Sequence, residues 1–322
     1  MPDSEPRLDY GIVVVTYNRA PLLTRLFESL LLLEDAPARI LVVDNASVDE
    51  TPAVVAAYAA RFAERFGADT LVDLRQASNT GGSGGFSAGI AEGYRRGSTW
   101  LWIMDDDVEV EPDAIARLAP WTERYRVVQG ARLETDGRPV AWRAMFDPRR
   151  GVTTAASGVP VEGGGELINT MCFEGALVHR DIVGALGLPD ARFFISWDDI
   201  LYGWLASRIT DIVQIPDVVL RRTRVMARTR MAGRSASRTS DMVRFHVVRN
   251  RAYIARYLEA LGELDRPAFA LGGAITVGKE LARLVLVDRS AGGVRAVVRG
   301  ILHGARIRRD PAWAPMRPLA EG

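Results

Sequence analysis

Five consecutive apolar residues at 100–104, Trp-Leu-Trp-Ile-Met, run straight into Asp105, Asp106 and Asp107. A strand that is apolar at every position has both faces covered, so this run asks for the interior of a layered sheet, and the acids then fall where the strand leaves the core. Clustered carboxylates repel one another. A chain that fixes three of them at the mouth of a buried strand offsets the repulsion with a cation; oxygen ligands suit Mg2+ or Mn2+, and a diphosphate is the natural third party. The competing reading is an acidic turn in solvent.

The first half of the chain alternates strand and helix patterns, which predicts a mostly parallel sheet covered on both faces. Strands are expected at 12–16, 40–44, 71–74 and 100–104. Pro21 opens a helix with Leu22, Leu23, Leu26, Phe27 and Leu30 at helical spacing. Ser47 and Glu50 have the spacing of a capping box before an Ala-rich helix toward Phe66. The glycine-rich segment 79–89 leads into a helix near 91–95, and Pro112 is read as the first residue of the next helix.

The second half is less regular. Residues 151–165 read as a mobile loop, 172–178 as a return to the sheet, 181–186 as a short helix, and 193–195 as the lead into Trp197, Asp198 and Asp199. The Arg-rich stretch 221–244 reads as a flexible segment that orders on ligand binding. Helices dominate from 242 onward. In the last of them Val294, Val297, Val298, Ile301, Leu302 and Ala305 form one apolar stripe, with Arg295, Arg299, Arg306, Arg308 and Arg309 beside or after it.

A formal net charge of +1 over 322 residues argues against nucleic acid as a partner. The lone Cys172 excludes an intramolecular disulfide and a cysteine-rich zinc site, and with no apparent secretory leader this places the chain in the cytoplasm. The longest apolar stretch, 268–277, is too short to span a bilayer.

In open α/β sheets ligands bind beyond the carboxyl ends of the strands, where Thr16, Asp44 and the aspartate trio are all expected. Asp44 directly follows an apolar run and can accept hydrogen bonds from a base or ribose. The loop at 79–86 lacks the GK[ST] ending of a P-loop, and Ser87 stands where the third glycine of GxGxxG belongs, so a nicotinamide oxidoreductase is disfavoured. Its glycines let the backbone pass close to a nucleotide sugar or to the aspartate loop. Trp197 offers a flat ring to a sugar face beside Asp198 and Asp199, a pair suited to general-base chemistry, although a helix cap is an ordinary role for one of them. Glu174 is a second-choice base.

Four segments in order, VVVTYNR with ILVVDNAS, NTGGSGGFSAG, WLWIMDDD, and FFISWDD followed by FHVVRNRAY, give the chain a resemblance to inverting family 2 glycosyltransferases of the GT-A fold, most closely the actinobacterial galactofuranosyltransferases. The resemblance covers roughly 11–257. It implies that Asp44 and the turn of Thr16, Asn18 and Arg19 hold the uridine, with Asn79 and Gly82 along the nucleotide sugar. It further implies that Asp105 and Asp107 bind Mn2+ or Mg2+, that Asp106 supports the donor, that Asp199 is the base with Asp198 beside it, and that His246 is an active-site histidine. Where the family carries a metal-binding histidine, this chain has Arg221 and Arg222, and a guanidinium cannot ligate a metal.

The expectation is therefore an α/β GT-A fold with a mostly parallel central sheet and a helical C-terminal extension. Its divisions are a catalytic domain at 8–218 (nucleotide half about 8–107, acceptor half about 108–218), an Arg-rich segment at 219–257 completing the site, and a basic extension at 258–322. The partners are a UDP-sugar and a glycan or lipid-linked acceptor. The alternatives are a dTDP-rhamnose transferase and a silent nucleotide-sugar-binding subunit. A further expectation has the basic last helix lying on the inner face of the plasma membrane, against ordinary packing on the catalytic domain.

Overall fold

The structure is a computed structural model and describes residues 8–140, 145–224, 228–231, 234–237, 239–288 and 292–319. All seven residues of Tyr10–Thr16 (β1) are buried. The chain continues through Ala20–Leu30 (α1), Arg39–Asp44 (β2), Thr51–Phe66 (α2), Leu71–Asp73 (β3), Gly81–Arg95 (α3) and Trp100–Asp105 (β4). These four strands lie in the order β3-β2-β1-β4 and are mutually parallel, with Thr16 beside Asp44 and Val15 beside Asp105. Alternate residues point to opposite faces. Ile12, Val14, Trp102 and Met104 pack under α1 and α2, while Val13, Val15, Leu101 and Ile103 pack under α3. Each such side chain contributes about 1.5–3 kcal/mol by leaving water.

Two local readings change here. The glycines of 81–89 lie inside α3 rather than before it. A Cβ on Gly85, Gly89 or Gly93 would collide with Val15, Val13 or Leu101 respectively, so the glycines serve close packing of helix on sheet. The capping box does not form. α2 begins at Thr51 with no side-chain cap, and the buried Ser47 hydroxyl instead accepts the Asn18 N–H at 2.9 Å.

Beyond β4 the chain gives Val108–Val110 (β5), Ala114–Thr122 (α4), Val127–Leu133 (β6), Met145–Asp147 (β7), Val152–Thr154 (β8), Val159–Pro160 (β9), Glu166–Ile168 (β10) and Ala176–His179 (β11). Arg180–Leu186 (α5), Asp198–Ala206 (α6) and Ile212–Arg222 (β12) follow. β11 runs antiparallel between β4 and β6 and extends the sheet to β12, β10 and β9. Pro112 sits two residues before α4 rather than at its first position. Residues 151–165 are not an open loop, since β8 pairs with β7 and β9 with β10.

The expectation for 221–244 lies partly outside the described residues; Arg228–Met231 (β13) and Arg234–Ser237 (β14) pair there as an antiparallel ribbon. Asp241–Ala260 (α7), Arg266–Arg283 (α8), a π-helical turn at Leu284–Asp288 and Gly292–Arg309 (α9) complete the chain. Arg244 of α7, fully buried, is paired with Asp241 at 2.7 Å and Asp288 at 2.5 Å, which ties α7 to the turn after α8. Among the described residues no helix is long and apolar enough to cross a membrane.

Candidate active site

The strand order reverses at β1, whose chain neighbour β2 lies on one side and β4 on the other, and the crevice at such a switch point is where open sheets bind ligands. There Asp106 turns inward. It is 1% exposed, accepts the Thr16 hydroxyl at 2.7 Å and the Arg19 guanidinium at 2.8 Å, and so ties the end of β4 to the loop after β1. Asp105 and Asp107 face a cavity of about 290 Å³ that Arg19, Gly82, Glu174, Asp198 and Asp199 also line. Burial first, then the charges of Asp107 and Glu174, hold the Asp105 carboxyl well above its ordinary range.

The neighbouring strand end carries Asp44, also 1% exposed. One carboxylate oxygen accepts the Ser47 N–H at 2.8 Å; the other is buried without a hydrogen-bond partner, with Arg75 3.7 Å away. Asn18 has positive φ, and its side chain accepts the Val48 N–H, so it shapes this loop. Asn45 donates to the Gly81 carbonyl at 2.7 Å and Asn79 accepts the Gly81 N–H at 2.8 Å, which fixes the entry to α3 and sets Gly82 at the cavity.

Asp198 and Asp199 arrive differently. The segment before them holds three non-glycine residues at positive φ, Phe194, Ser196 and Trp197, a conformation that persists only when the surroundings enforce it. α7 does so. The Asn250 amide donates to the carbonyls of Phe193, Ile195 and Ser196 at 2.8–2.9 Å, and Arg249 to those of Arg192 and Phe193 at 2.7 Å. Trp197, not an aspartate, stands at the N-cap of α6; both aspartates lie in its first turn, where Asp199 accepts the Ile200 N–H at 2.8 Å. Burial, then the adjacent Asp198 charge, pushes Asp199 up to about 7, and burial likewise raises Asp198. A carboxyl poised there is matched to general-base work near neutrality.

Two expected residues stand outside the cavity lining and a third, within it, is otherwise engaged. His246 is not among the residues lining the cavity; its ring stacks on Phe194 at 4.9 Å, and burial, then Arg249, pushes its pKa down to about 4. The Trp197 ring is turned toward α7, donating its N–H to the Val247 carbonyl at 3.1 Å, and offers no platform in the cavity. Glu174 has both oxygens engaged. Arg222 grips them at 2.6 and 2.5 Å and Arg132 adds a contact at 2.9 Å, so although burial raises its pKa, the two guanidinium groups outweigh that and leave it below the usual range. The end of β12 lies against the aspartates, for Arg222 pairs with Val108 and the Thr223 N–H reaches the Asp107 carbonyl at 2.9 Å.

Sequence reasoning missed Cys172 and Arg132. The thiol lines the cavity, accepts from Arg132 at 3.1 Å, and burial pushes its pKa up to about 12, so it stays a neutral wall beside Asp199. The one signal for Arg132 was a charged residue inside the apolar strand VVQGARL.

The donor set fits a hard cation in part. Asp105 and Asp107 offer carboxylate oxygens, and the raised Asp105 marks negative charge that a cation would neutralise. No group of three or more His, Cys, Asp or Glu arranged to hold a metal occurs among the described residues. Ligand oxygens and water would have to complete such a site.

The family model described as Glycosyl transferase family 2 matches residues 11–176. The galactofuranosyltransferase GlfT1 of Mycobacterium tuberculosis is 28% identical over 193 residues, 58% of this chain and 61% of the relative, so the chain spans less than two thirds of that relative's length. Of solved structures, S. aureus TarS 1-349 in complex with UDP-GlcNAc superposes with a TM-score of 0.56 at 14% identity, covering 93% of this chain and 81% of that one. The mannosyltransferase PcManGT of Pyrobaculum calidifontis, in complex with GDP-Man and Mn2+, gives 0.52 at 16% identity over 96% and 89%. The α/β fold with its helical C-terminal region is thus that of GT-A glycosyltransferases.

Proposed function

The chain belongs to glycosyl transferase family 2, and on that premise we propose that it is an inverting glycosyltransferase moving a sugar from a nucleotide donor, galactofuranose from UDP-galactofuranose in the first instance, to a hydroxyl of a glycan or glycolipid. The observation that carries this reading is the single cavity lined both by Asp105, Asp107 and Arg19 at the switch point and by an Asp199 that titrates near neutrality. The choice of sugar follows the galactofuranosyltransferase relative.

In this reading Asp44 and the loop after β1 hold the uridine, and the half-exposed Arg19 guanidinium lies against the diphosphate. Asp105 and Asp107 would hold Mn2+ or Mg2+, which, when bound, supplies Lewis-acid neutralisation of the leaving diphosphate. Asp199 takes the proton of the acceptor hydroxyl as that oxygen forms its bond to the anomeric carbon; the bond from that carbon to the diphosphate oxygen breaks on the opposite side, and its electron pair leaves with the nucleotide. Asp106 works through Thr16 and Arg19, and His246 through Phe194. Residues 8–218 form the catalytic unit, 219–257 the segment that completes it, and 258–322 an extension.

A second reading has one observation in its favour. Arg222 is locked on Glu174 beside Asp107, and a metal position offered two carboxylates, Asp105 and Asp107, suits a subunit that binds a sugar nucleotide without turning it over. Release of nucleoside diphosphate from a panel of sugar nucleotides, with and without Mn2+, separates the two. The transferase reading expects UDP-galactofuranose to be turned over with acceptor present, whereas tight binding of a sugar nucleotide with no turnover of any would overturn it.

A further inference from the structure

α8 and α9 are built inside out. The residues α9 buries are Gly293, Ala296, Val297, Gly300 and Gly304, a single large side chain among five, while Val294, Val298, Ile301 and Leu302 point away from the protein, 47–56% exposed. A Cβ on Gly300 would press on Val248 and the Phe245 carbonyl, so the close approach to α7 is itself the reason for the small inner residues. α8 repeats the arrangement. It buries Gly272, Thr276 and Glu280 and exposes Leu271, Ile275 and Leu281, and the π-helical turn after it exposes Val285 and Leu286. A surface helix normally turns its large apolar side chains to the core, and contiguous exposed ones mark a face that meets a partner. More than half of the exposed large apolar side chains among the described residues fall between 271 and 302.

The charge on this face selects the partner. α9 carries five arginines and no acid in its 18 residues, and Arg295, Arg299, Arg306 and Arg309 are all exposed along the apolar stripe or at its end. Lys279 is exposed on α8, whose Glu280 is buried beside Arg244 and Arg283. Pairing of this face with a second copy of α9 would set arginine against arginine. An anionic lipid surface satisfies both halves of the pattern, taking the apolar side chains among acyl chains and the guanidinium groups among headgroup phosphates.

We propose that the outer faces of α8 and α9 dock the protein on an anionic bilayer, lying on it rather than crossing it. The inference stands apart from the transfer reaction, since none of these residues lines the catalytic cavity.

The test is co-sedimentation of the full chain with phosphatidylglycerol vesicles, with phosphatidylcholine vesicles for comparison. The protein pellets with the anionic vesicles, stays in solution with the neutral ones, and is released by salt. Ile301→Asp with Leu302→Asp lowers the partition coefficient at least tenfold, and Arg295→Ala with Arg299→Ala lowers it by roughly 25-fold, about fivefold per arginine. An unchanged melting temperature shows that both variants fold. Equal partition of wild type and variants, or equal binding to neutral vesicles, overturns the proposal. So does a dimer by light scattering that the aspartate substitutions dissociate, which would make a second copy the occupant.

Discussion

Asp105 and Asp107 hang from the end of a strand gripped on both sides by its neighbours, whereas Asp198 and Asp199 hang from a segment whose shape depends on an amide about fifty residues further along the chain. The first pair is placed by the sheet. Its orientation is fixed by hydrophobic burial of β4 under the helices that cover the sheet and by the Asp106 bonds to Thr16 and Arg19. The second pair is placed by a polar clamp on strained backbone, so its geometry is cooperative with the docking of α7. In the proposed reading, the groups that bind the donor take the rigid solution, and the base that meets an incoming hydroxyl sits on the part whose geometry depends on α7.

The contrast breaks first at the base. Asp199→Asn is expected to lower kcat by about 10²–10⁴-fold while donor affinity, measured by calorimetry, stays within about twofold, because a general base acts only in the transition state. Asp107→Ala should do the reverse, losing on the order of 10²-fold in activity together with the Mn2+-dependent thermal stabilisation by UDP, whereas Asp106→Ala retains that metal response and is the milder change. If Asp106→Ala and Asp107→Ala behaved alike, the inward and outward roles of the trio would be wrongly divided.

Asn250→Ala probes the clamp. The part-buried carbonyls of Ile195 and Ser196 lose the Asn250 amide while that of Phe193 keeps Arg249, so stability should fall by about 1–3 kcal/mol in denaturant unfolding, and kcat by roughly tenfold with donor affinity unaltered. The smallest effect is in pH. With Asp199 raised to about 7, the base form and hence kcat grow as pH rises through that value and level off above it. The Asp198 charge is the second cause of the shift, so Asp198→Asn should move the midpoint of the pH profile downward.

Much of the sheet side was readable in the sequence because its signals are local. Runs such as 40–44 and 100–104 announce buried strands by unbroken apolar character, and a polar residue at the end of each announces the binding edge. The start of the helix after 79 and the capping box at Ser47 were misread for a physical reason. A run of glycines argues against a helix interior when seen alone, and only the neighbouring Val13, Val15 and Leu101 reveal the close packing that requires it. Asp198 and Asp199 were singled out as candidates, but the positive φ values before them and the Asn250 clamp depend on contacts more than fifty residues apart, which no local pattern encodes. Trp197, from its place beside the two aspartates, and His246, from the family resemblance, were expected to face a ligand, and both are turned instead to the interface between the segment and α7.

The glycine ladder of α3 has a reach beyond its own packing. Its first turn touches the Phe194 carbonyl through the Ser83 N–H, and Gly81 leaves no room there for a side chain. A single methyl on Gly89 would press on Val13 and Val43 and shift the helix that sets Gly82 in the cavity lining. The width of the cavity on that side is thus gauged by how near a helix and a strand can approach, a dimension set inside the hydrophobic interior.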